Sequence, residues 1–316
     1  MTDLASIAAL PVAADTAWLF PGQGAQAVGM GRDLAEAIPA ARAIFDAADA
    51  ALGIGLSTIC FEGPEAELLR TVNTQPALVT HAIAALVAAI DAGEITSRPT
   101  FVAGHSLGEY AALVAAGALT FEAGVTLVRE RGRLMQEACG AQPGTMAAVL
   151  GMEPEPLRAI CAQHGAAICN INAPGNITIG GTLAAVEAAS RAATEAGASR
   201  VLPLSVSGAF HTPLMRAAAD GMGAVLRATT FVAPSASVIS NVTGKPLNAD
   251  ADLVAELTDQ ITSPVLWEGS VRAMRTLGVT KVVEFGPGRV LTGLVKRIDR
   301  DIEVRNIGTV GELHGD

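Results

Sequence analysis

Residues 100–116 read Thr-Phe-Val-Ala-Gly-His-Ser-Leu-Gly-Glu-Tyr-Ala-Ala-Leu-Val-Ala-Ala. The first four are apolar or β-branched and suit a buried strand, and the run 107–116 suits a helix. Between them Gly104-His105-Ser106-Leu107-Gly108 forms a G-x-S-x-G, so the order is strand, sharp turn, helix, the setting of a nucleophile elbow. The glycines are needed because so tight a turn has no room for β-carbons beside the serine. Such a turn exposes the Ser106 hydroxyl at a helix N-terminus, where the Leu107 N–H and the helix dipole can stabilise an oxyanion. An ordinary glycine-containing strand-to-helix turn would carry the same string.

Working outward, apolar runs at 17–20, 101–103, 282–285 and 304–307 read as buried strands. Helical patterns cover 40–51, 76–92, 107–116, 120–138 and 290–298, with Pro76 suited to a first helical position. This alternation predicts an α/β fold built on a parallel sheet with crossover helices. Residues 144–206 read differently, as strand 146–150, helix 154–163, strands 167–171 and 177–179, helix 183–196 and strand 201–204. That is the β-α-β-β-α-β order of a ferredoxin-like unit. The expectation is a large α/β-hydrolase-like domain from 15–140 and 208–316, with a small ferredoxin-like domain, 141–207, inserted into it.

Composition narrows the function. The chain has 316 residues, 50% of them hydrophobic but only 3% aromatic, so Ala, Val, Leu and Ile must fill the core. A net charge of −10 gives no attraction to phosphate backbones, and nucleic-acid binding is not expected. Cys60, Cys139, Cys161 and Cys169 form no C-x-x-C pair and read as reduced, buried residues of a cytoplasmic protein. The first twenty residues hold Asp3 and Asp15 but no Lys or Arg, so export is not expected. The stretches 71–90 and 166–186 lack Asp, Glu, Lys and Arg, yet Asn, Gln, Thr, Pro or Gly-Gly interrupt them, and neither reads as a membrane span.

A nucleophilic serine needs a base, and there are five histidines. His81 lies in an apolar helix and reads as core, whereas His164 and His314 have polar surroundings. His105 adjoins the serine on a tight turn where side chains diverge, which suits a positioning role. His211, in Ser-Gly-Ala-Phe-His-Thr-Pro (207–213), falls where the inserted segment returns to the large one, and sites form at such junctions. Capping a helix is the alternative for it. The glycine-rich loop 20–26, Phe-Pro-Gly-Gln-Gly-Ala-Gln, lets backbone approach a ligand, but Ala27 stands where a dinucleotide fingerprint needs Gly, and there is no G-K-[ST].

Taken together the motifs resemble one family, the malonyl-CoA:acyl carrier protein transacylases of fatty acid synthesis and the related acyltransferase domains of polyketide synthases. The resemblance runs from about Trp18 to Ile307 and rests on FPGQGAQ (20–26), TQPALV (74–79), GHSLGEY (104–110), RGRLMQEA (131–138), INAPGN (171–176), SGAFHTPLM (207–215), SNVTG (240–244) and EFGPGRVLTGLVKRI (284–298). It implies malonyl transfer from malonyl-CoA to the phosphopantetheine thiol of acyl carrier protein, by a ping-pong route through a serine ester, with no metal or other cofactor. Ser106 would be the nucleophile and His211 its base, oriented by backbone carbonyls rather than an acid. Gln23 and Leu107 would supply oxyanion N–H groups. Arg131 would hold the malonyl carboxylate through two charge-assisted hydrogen bonds. His105 and Asn172 would line the substrate site, and Phe210 would crowd an α-methyl group.

Two positions depart from the family pattern. Asn176 replaces a frequent Gln, and Leu266 stands where relatives often have Arg or Gln, which is harmless if that position contributes only a carbonyl to the histidine. Carrier proteins are acidic like this chain, so docking needs a local basic patch, and Lys296, Arg297 and Arg300, with Lys281 and Arg289 nearby in sequence, are the candidates. Complementing the dipole at a helix C-terminus is the alternative for them. An acyl hydrolase on the same scaffold, a silent docking subunit and a transferase serving polyketide or malonate metabolism are the competing functions.

Overall fold

The four apolar runs at 17–20, 101–103, 282–285 and 304–307 all enter one parallel sheet. In the computed structural model, which describes residues 4–248 and 251–315, the strands are β1 (Val12–Phe20), β2 (Arg98–Gly104), β3 (Thr145–Leu150), β4 (Ala167–Ala173), β5 (Asn176–Gly181), β6 (Arg200–Pro203), β7 (Ser237–Ile239), β8 (Lys281–Phe285) and β9 (Glu303–Ile307). Asp3, read above for the missing basic region, and Asp316, the last residue of the expected large domain, lie outside the described residues. The parallel sheet has the order β7-β2-β1-β8-β9. Its edge strand β7 has only three residues, too few for any periodicity, and the sequence reading does not contain it.

Register decides where a site can form. Phe20 at the end of β1 pairs with Gly104 at the end of β2, so the loops 21–26 and 105–107 leave the sheet side by side. Both lie at the carboxyl ends of parallel strands, where open α/β sheets hold ligands. The two loops are in contact: His105 N donates to Phe20 O at 3.0 Å. A β-carbon on Gly104 would lie 1.9 Å from the Gly108 carbonyl carbon, and one on Gly108 would lie 2.2 Å from Phe20 O.

The helix expected at 76–92 begins five residues earlier, as Thr71–Asp91, and Pro76 sits inside it. Proline removes the donor that would have bonded the Val72 carbonyl, and Arg129 Nη1 takes that carbonyl instead, at 2.9 Å. This helix has the length and mean hydropathy of a membrane span, but 94% of the relevant window is buried inside the protein. It packs on the helix Phe121–Ala141 at close range, since a β-carbon on Gly132 would lie 2.6 Å from Thr71 O. That contact places Arg131, the neighbour of Gly132, against the sheet's carboxyl edge.

Residues 145–203 form a second, antiparallel sheet of order β4-β5-β3-β6. The helices Pro154–His164 and Leu183–Glu195 cover one face of it around a separate apolar cluster that includes Val149, Leu157, Ile168, Ile177, Ile179 and Val186. The strand–helix order is the one read from the sequence. This sheet is tied to the rest of the chain through β4, where Ile171 N donates to Val265 O and Val265 N donates to Cys169 O, both at 2.9 Å.

Gly108→Ala is expected to destabilise the fold by about 3 kcal/mol, the upper end of overpacking costs, because its β-carbon meets backbone rather than a side chain that can turn away. Gly293→Ala, in the helix Val290–Ile298 with no atom within 4 Å of the added carbon, is the control and should stabilise by about 0.5–1 kcal/mol. Urea unfolding of both variants against the parent measures the contrast.

Candidate active site

Ser106 lies between β2 and the helix Gly108–Ala115 with φ of 54°, and His211 has φ of 59°; among the described residues these are the two non-glycine positions with positive φ. Such backbone costs on the order of 1–3 kcal/mol per residue and persists only where surrounding contacts over-determine it. The two strained residues meet. Ser106 Oγ and His211 Nε2 are 2.8 Å apart although 105 residues separate them in the chain. On its far side His211 Nδ1 lies 2.8 Å from the Gln260 carbonyl oxygen, which fixes the tautomer with Nε2 free to accept the serine proton. Among the described residues no acid completes a triad, and the Gln260 carbonyl orients the imidazole instead.

Arg131 is the third member, 1% exposed. Its Nη1 donates to Gln75 Oε1 at 2.8 Å, and its Nη2 donates to Gln260 Oε1 at 2.8 Å and to Ser106 Oγ at 3.1 Å. Its guanidinium carbon stands 5.8 Å from the centre of the Tyr110 ring. Among the described residues Arg131 makes no ion pair with a carboxylate, so this buried cation is held by neutral amides and a ring. A buried cation without a carboxylate partner, beside a serine hydroxyl, is a place for an anionic group.

Electrostatics set the base. Burial, and after it the Arg131 guanidinium, push His211 down to about 3. The imidazole is therefore neutral, able to accept a proton, throughout the physiological range. Burial and then the charge of Glu256 raise Glu109 well above the usual carboxylate range. Glu109 Oε2 accepts Gln260 Nε2 at 2.6 Å, so this carboxyl braces the amide that reaches Arg131.

A cavity of about 420 Å³ opens onto these groups. Gln23, Leu107, His105, Asn172, Asn176 and Phe210 line it. Among the described residues the backbone N–H groups of Gln23 and Leu107 meet no hydrogen-bond acceptor, which leaves both free for an oxyanion. His105 Nε2 lies 3.0 Å from Asn172 Oδ1, joining the elbow to β4 of the small sheet.

The basic candidates fare differently. Lys296 Nζ donates to the carbonyls of Arg300, at 3.1 Å, and Ile302, at 2.6 Å, closing the end of its helix, and Arg289 pairs with Glu312 at 3.0 Å. Lys281 lies 3.7 Å from Asp15. Arg297 and Arg300 remain exposed. His81 is fully buried with Nε2 3.0 Å from Gly308 O, and His164 and His314 are exposed, as their surroundings in the sequence suggested. Leu266 gives its carbonyl to Ser270 at 2.9 Å, within the helix it caps, so the orienting carbonyl comes from Gln260, which the sequence reading did not name. Gln75 and Asn241 lie within TQPALV and SNVTG, but nothing local in the sequence marks either as part of the site. All four cysteines are free and buried, and among the described residues no group of three or more His, Cys, Asp or Glu could hold a metal ion.

The sequence profile of the acyl transferase domain family matches residues 17–316. The chain belongs to that family. A malonyl CoA-acyl carrier protein transacylase of Bacillus subtilis (strain 168) is 47% identical over 292 residues, spanning 91% of this chain and 91% of that one. The crystal structure of malonyl-CoA:acyl carrier protein transacylase from Xanthomonas oryzae pv. oryzae superposes with a TM-score of 0.91 at 40% identity, covering 96% of this chain and 98% of the other. A malonyl-transacylase solved in complex with its holo type II polyketide acyl-carrier protein gives 0.89 at 37% identity, covering 95% and 98%.

The depressed His211 has a kinetic consequence. Labelling of Ser106 by a fluorophosphonate, an uncharged electrophile, is expected to stay level from about pH 8 to about pH 5, where a histidine at its ordinary 6.5 would have lost about 30-fold. Stability follows the same sign. The His211 contribution is complete above 6.5 and is lost as pH falls from there towards 3, because the unfolded chain takes up the proton first. An inflection in labelling near 6.5 would refute the shift.

Proposed function

We propose that this chain transfers a malonyl group from malonyl-CoA to the phosphopantetheine thiol of an acyl carrier protein, in fatty acid synthesis, through a malonyl ester on Ser106. One observation carries the reading: a guanidinium 1% exposed, without a carboxylate partner among the described residues, lies 3.1 Å from the hydroxyl that would take the acyl group. The relatives' names supply the substrate and the carrier. The distances support the chemistry.

His211 Nε2 takes the Ser106 proton as Oγ attacks the thioester carbonyl, and the oxyanion is held by the Leu107 and Gln23 N–H groups. Collapse breaks the carbon–sulfur bond, and the departing CoA thiolate takes the proton from His211. The carrier's thiol then gives its proton to His211 and attacks the ester, and Ser106 Oγ recovers that proton as it leaves. Arg131 holds the malonyl carboxylate by a two-pronged contact that acetyl groups cannot make. Phe210, 7% exposed at the cavity wall, crowds an α-methyl branch. Group transfer of this kind needs no bound cofactor.

The same reading sets the architecture and the docking side. The parallel sheet and elbow form an α/β-hydrolase-like domain from 15–140 and 208–316, and 141–207 form an inserted ferredoxin-like domain, a reading supported by the order β4-β5-β3-β6 with both helices on one face. Four free cysteines suit a cytoplasmic setting. Val290 and Leu294, in the helix that carries Arg297, line the cavity, so Arg297 and Arg300 stand on the carrier's approach while Lys296 serves its own helix end.

Intact-mass measurement after brief mixing with malonyl-CoA is expected to show a malonyl adduct that Ser106→Ala abolishes. Free CoA accumulating without adduct would indicate hydrolysis, and neither adduct nor release would leave a silent subunit. Arg131→Ala should lower kcat/KM for malonyl-CoA by about 10²- to 10³-fold, the equivalent of two charged hydrogen bonds, and leave acetyl-CoA turnover no lower. Arg297→Glu should weaken the salt dependence of the rate with carrier protein and leave acylation by malonyl-CoA unchanged.

A further inference from the structure

Ser106 holds an unfavourable backbone conformation, and something must hold it there. The ladder between β2 and β7 ends with Ala103 paired to Ile239. Beyond that point the chain after β7 turns back on itself, with Ser240 N donating to Lys245 O and Gly244 N donating to Ser240 O. The next backbone groups on the β2 side, the Gly104 carbonyl and the Ser106 N–H, thereby lose their strand partner.

Asn241 supplies one with its side chain. Its Nδ2 donates to Gly104 O at 2.7 Å, and its Oδ1 accepts Ser106 N–H at 2.7 Å. It is 1% exposed, so no water competes for either bond. Its own place is fixed by Leu266 N, which donates to Asn241 O at 2.9 Å, and by Ser240 Oγ, which donates to Glu256 Oε1 at 2.6 Å. On the opposite side of the serine, Ser106 O accepts Gln260 Nε2 and Glu109 N, each at 3.0 Å.

We propose that Asn241 is a positioning residue for Ser106: its amide stands in for the missing strand partner, holds the serine in the left-handed region and so aims Oγ at His211. The same bond occupies the Ser106 N–H and leaves the Leu107 N–H as the elbow's oxyanion donor. The proposal rests on Ser106 as nucleophile, as read above, and is independent of which acyl group the enzyme carries.

The test compares Asn241→Ala and Asn241→Asp with the parent, following Ser106 labelling by diisopropyl fluorophosphate and, separately, CoA binding by calorimetry. The alanine variant is expected to label about 10²-fold more slowly, as misplacement by an ångström does, with the Kd for CoA within about twofold of the parent. Asp keeps the acceptor for Ser106 N–H and loses the donor to Gly104, so it should label about tenfold more slowly. Labelling within about threefold of the parent in both variants, or a loss matched by weaker CoA binding as general loosening would give, overturns the role. If the alanine variant does not fold, the aspartate variant decides by the same criterion. Parent protein that reacts with diisopropyl fluorophosphate but takes no malonyl adduct removes the acyl assignment and leaves the Asn241 comparison valid; parent protein that resists both removes the nucleophile, and the Asn241 role with it.

Discussion

The close approach of two backbone segments underlies the rest of the structure. Gly108 stands so near the Phe20 carbonyl that no side chain fits between them, and the turn at Gly104 closes on the first turn of the following helix with equally little room. Because the carboxyl ends of β1 and β2 are locked together this way, the Gln23 loop and the serine loop share one cavity wall. That packing and the Asn241 amide together hold the strained φ at Ser106. Relaxing it would require the helix to withdraw from β1, at the expense of the apolar contacts that Leu107, Tyr110, Leu113 and Val114 make in the main core.

What the sequence made legible, and what it hid, divides along one physical line. The elbow could be read because strand, turn and helix are contiguous and each leaves a local signature in composition and period. His211 could be read because it marks the return from one periodicity to another. Pro76 misled because a proline is compatible with the first turn of a helix and also with a later position, provided another donor takes the freed carbonyl. That donor, Arg129, lies 57 residues from Val72. Gln260 and Asn241 act on Ser106 from 154 and 135 residues away through ordinary amides, with no spacing rule to announce them. Asn241 at least sits in the family-like string Ser-Asn-Val-Thr-Gly, whereas Gln260 follows a short helix with no motif around it. Lys296 stayed ambiguous, since a cation near a helix C-terminus looks the same in sequence whether it greets a partner or binds carbonyls of the turn that follows, as Lys296 does.

Arg131 ties recognition to reactivity. A buried cation held by two glutamines, a serine hydroxyl and a tyrosine ring is compensated only weakly, and its field falls on His211, where it adds to burial in keeping the imidazole neutral. On the proposed reading neutrality lets His211 serve as the base, but the same field lowers its affinity for the proton it must hold during attack. On the proposed reading, a malonyl carboxylate seated on Arg131 cancels part of that field when the acyl group arrives. The histidinium formed during attack then sits beside an ion pair instead of a bare cation, and the transition state gains a stabilisation that acetyl groups, lacking the carboxylate, cannot provide. On that reading substrate choice acts twice through one residue, once in binding and once in the basicity of His211, and a site with a single buried cation favours acid-bearing acyl groups in kcat as well as in KM.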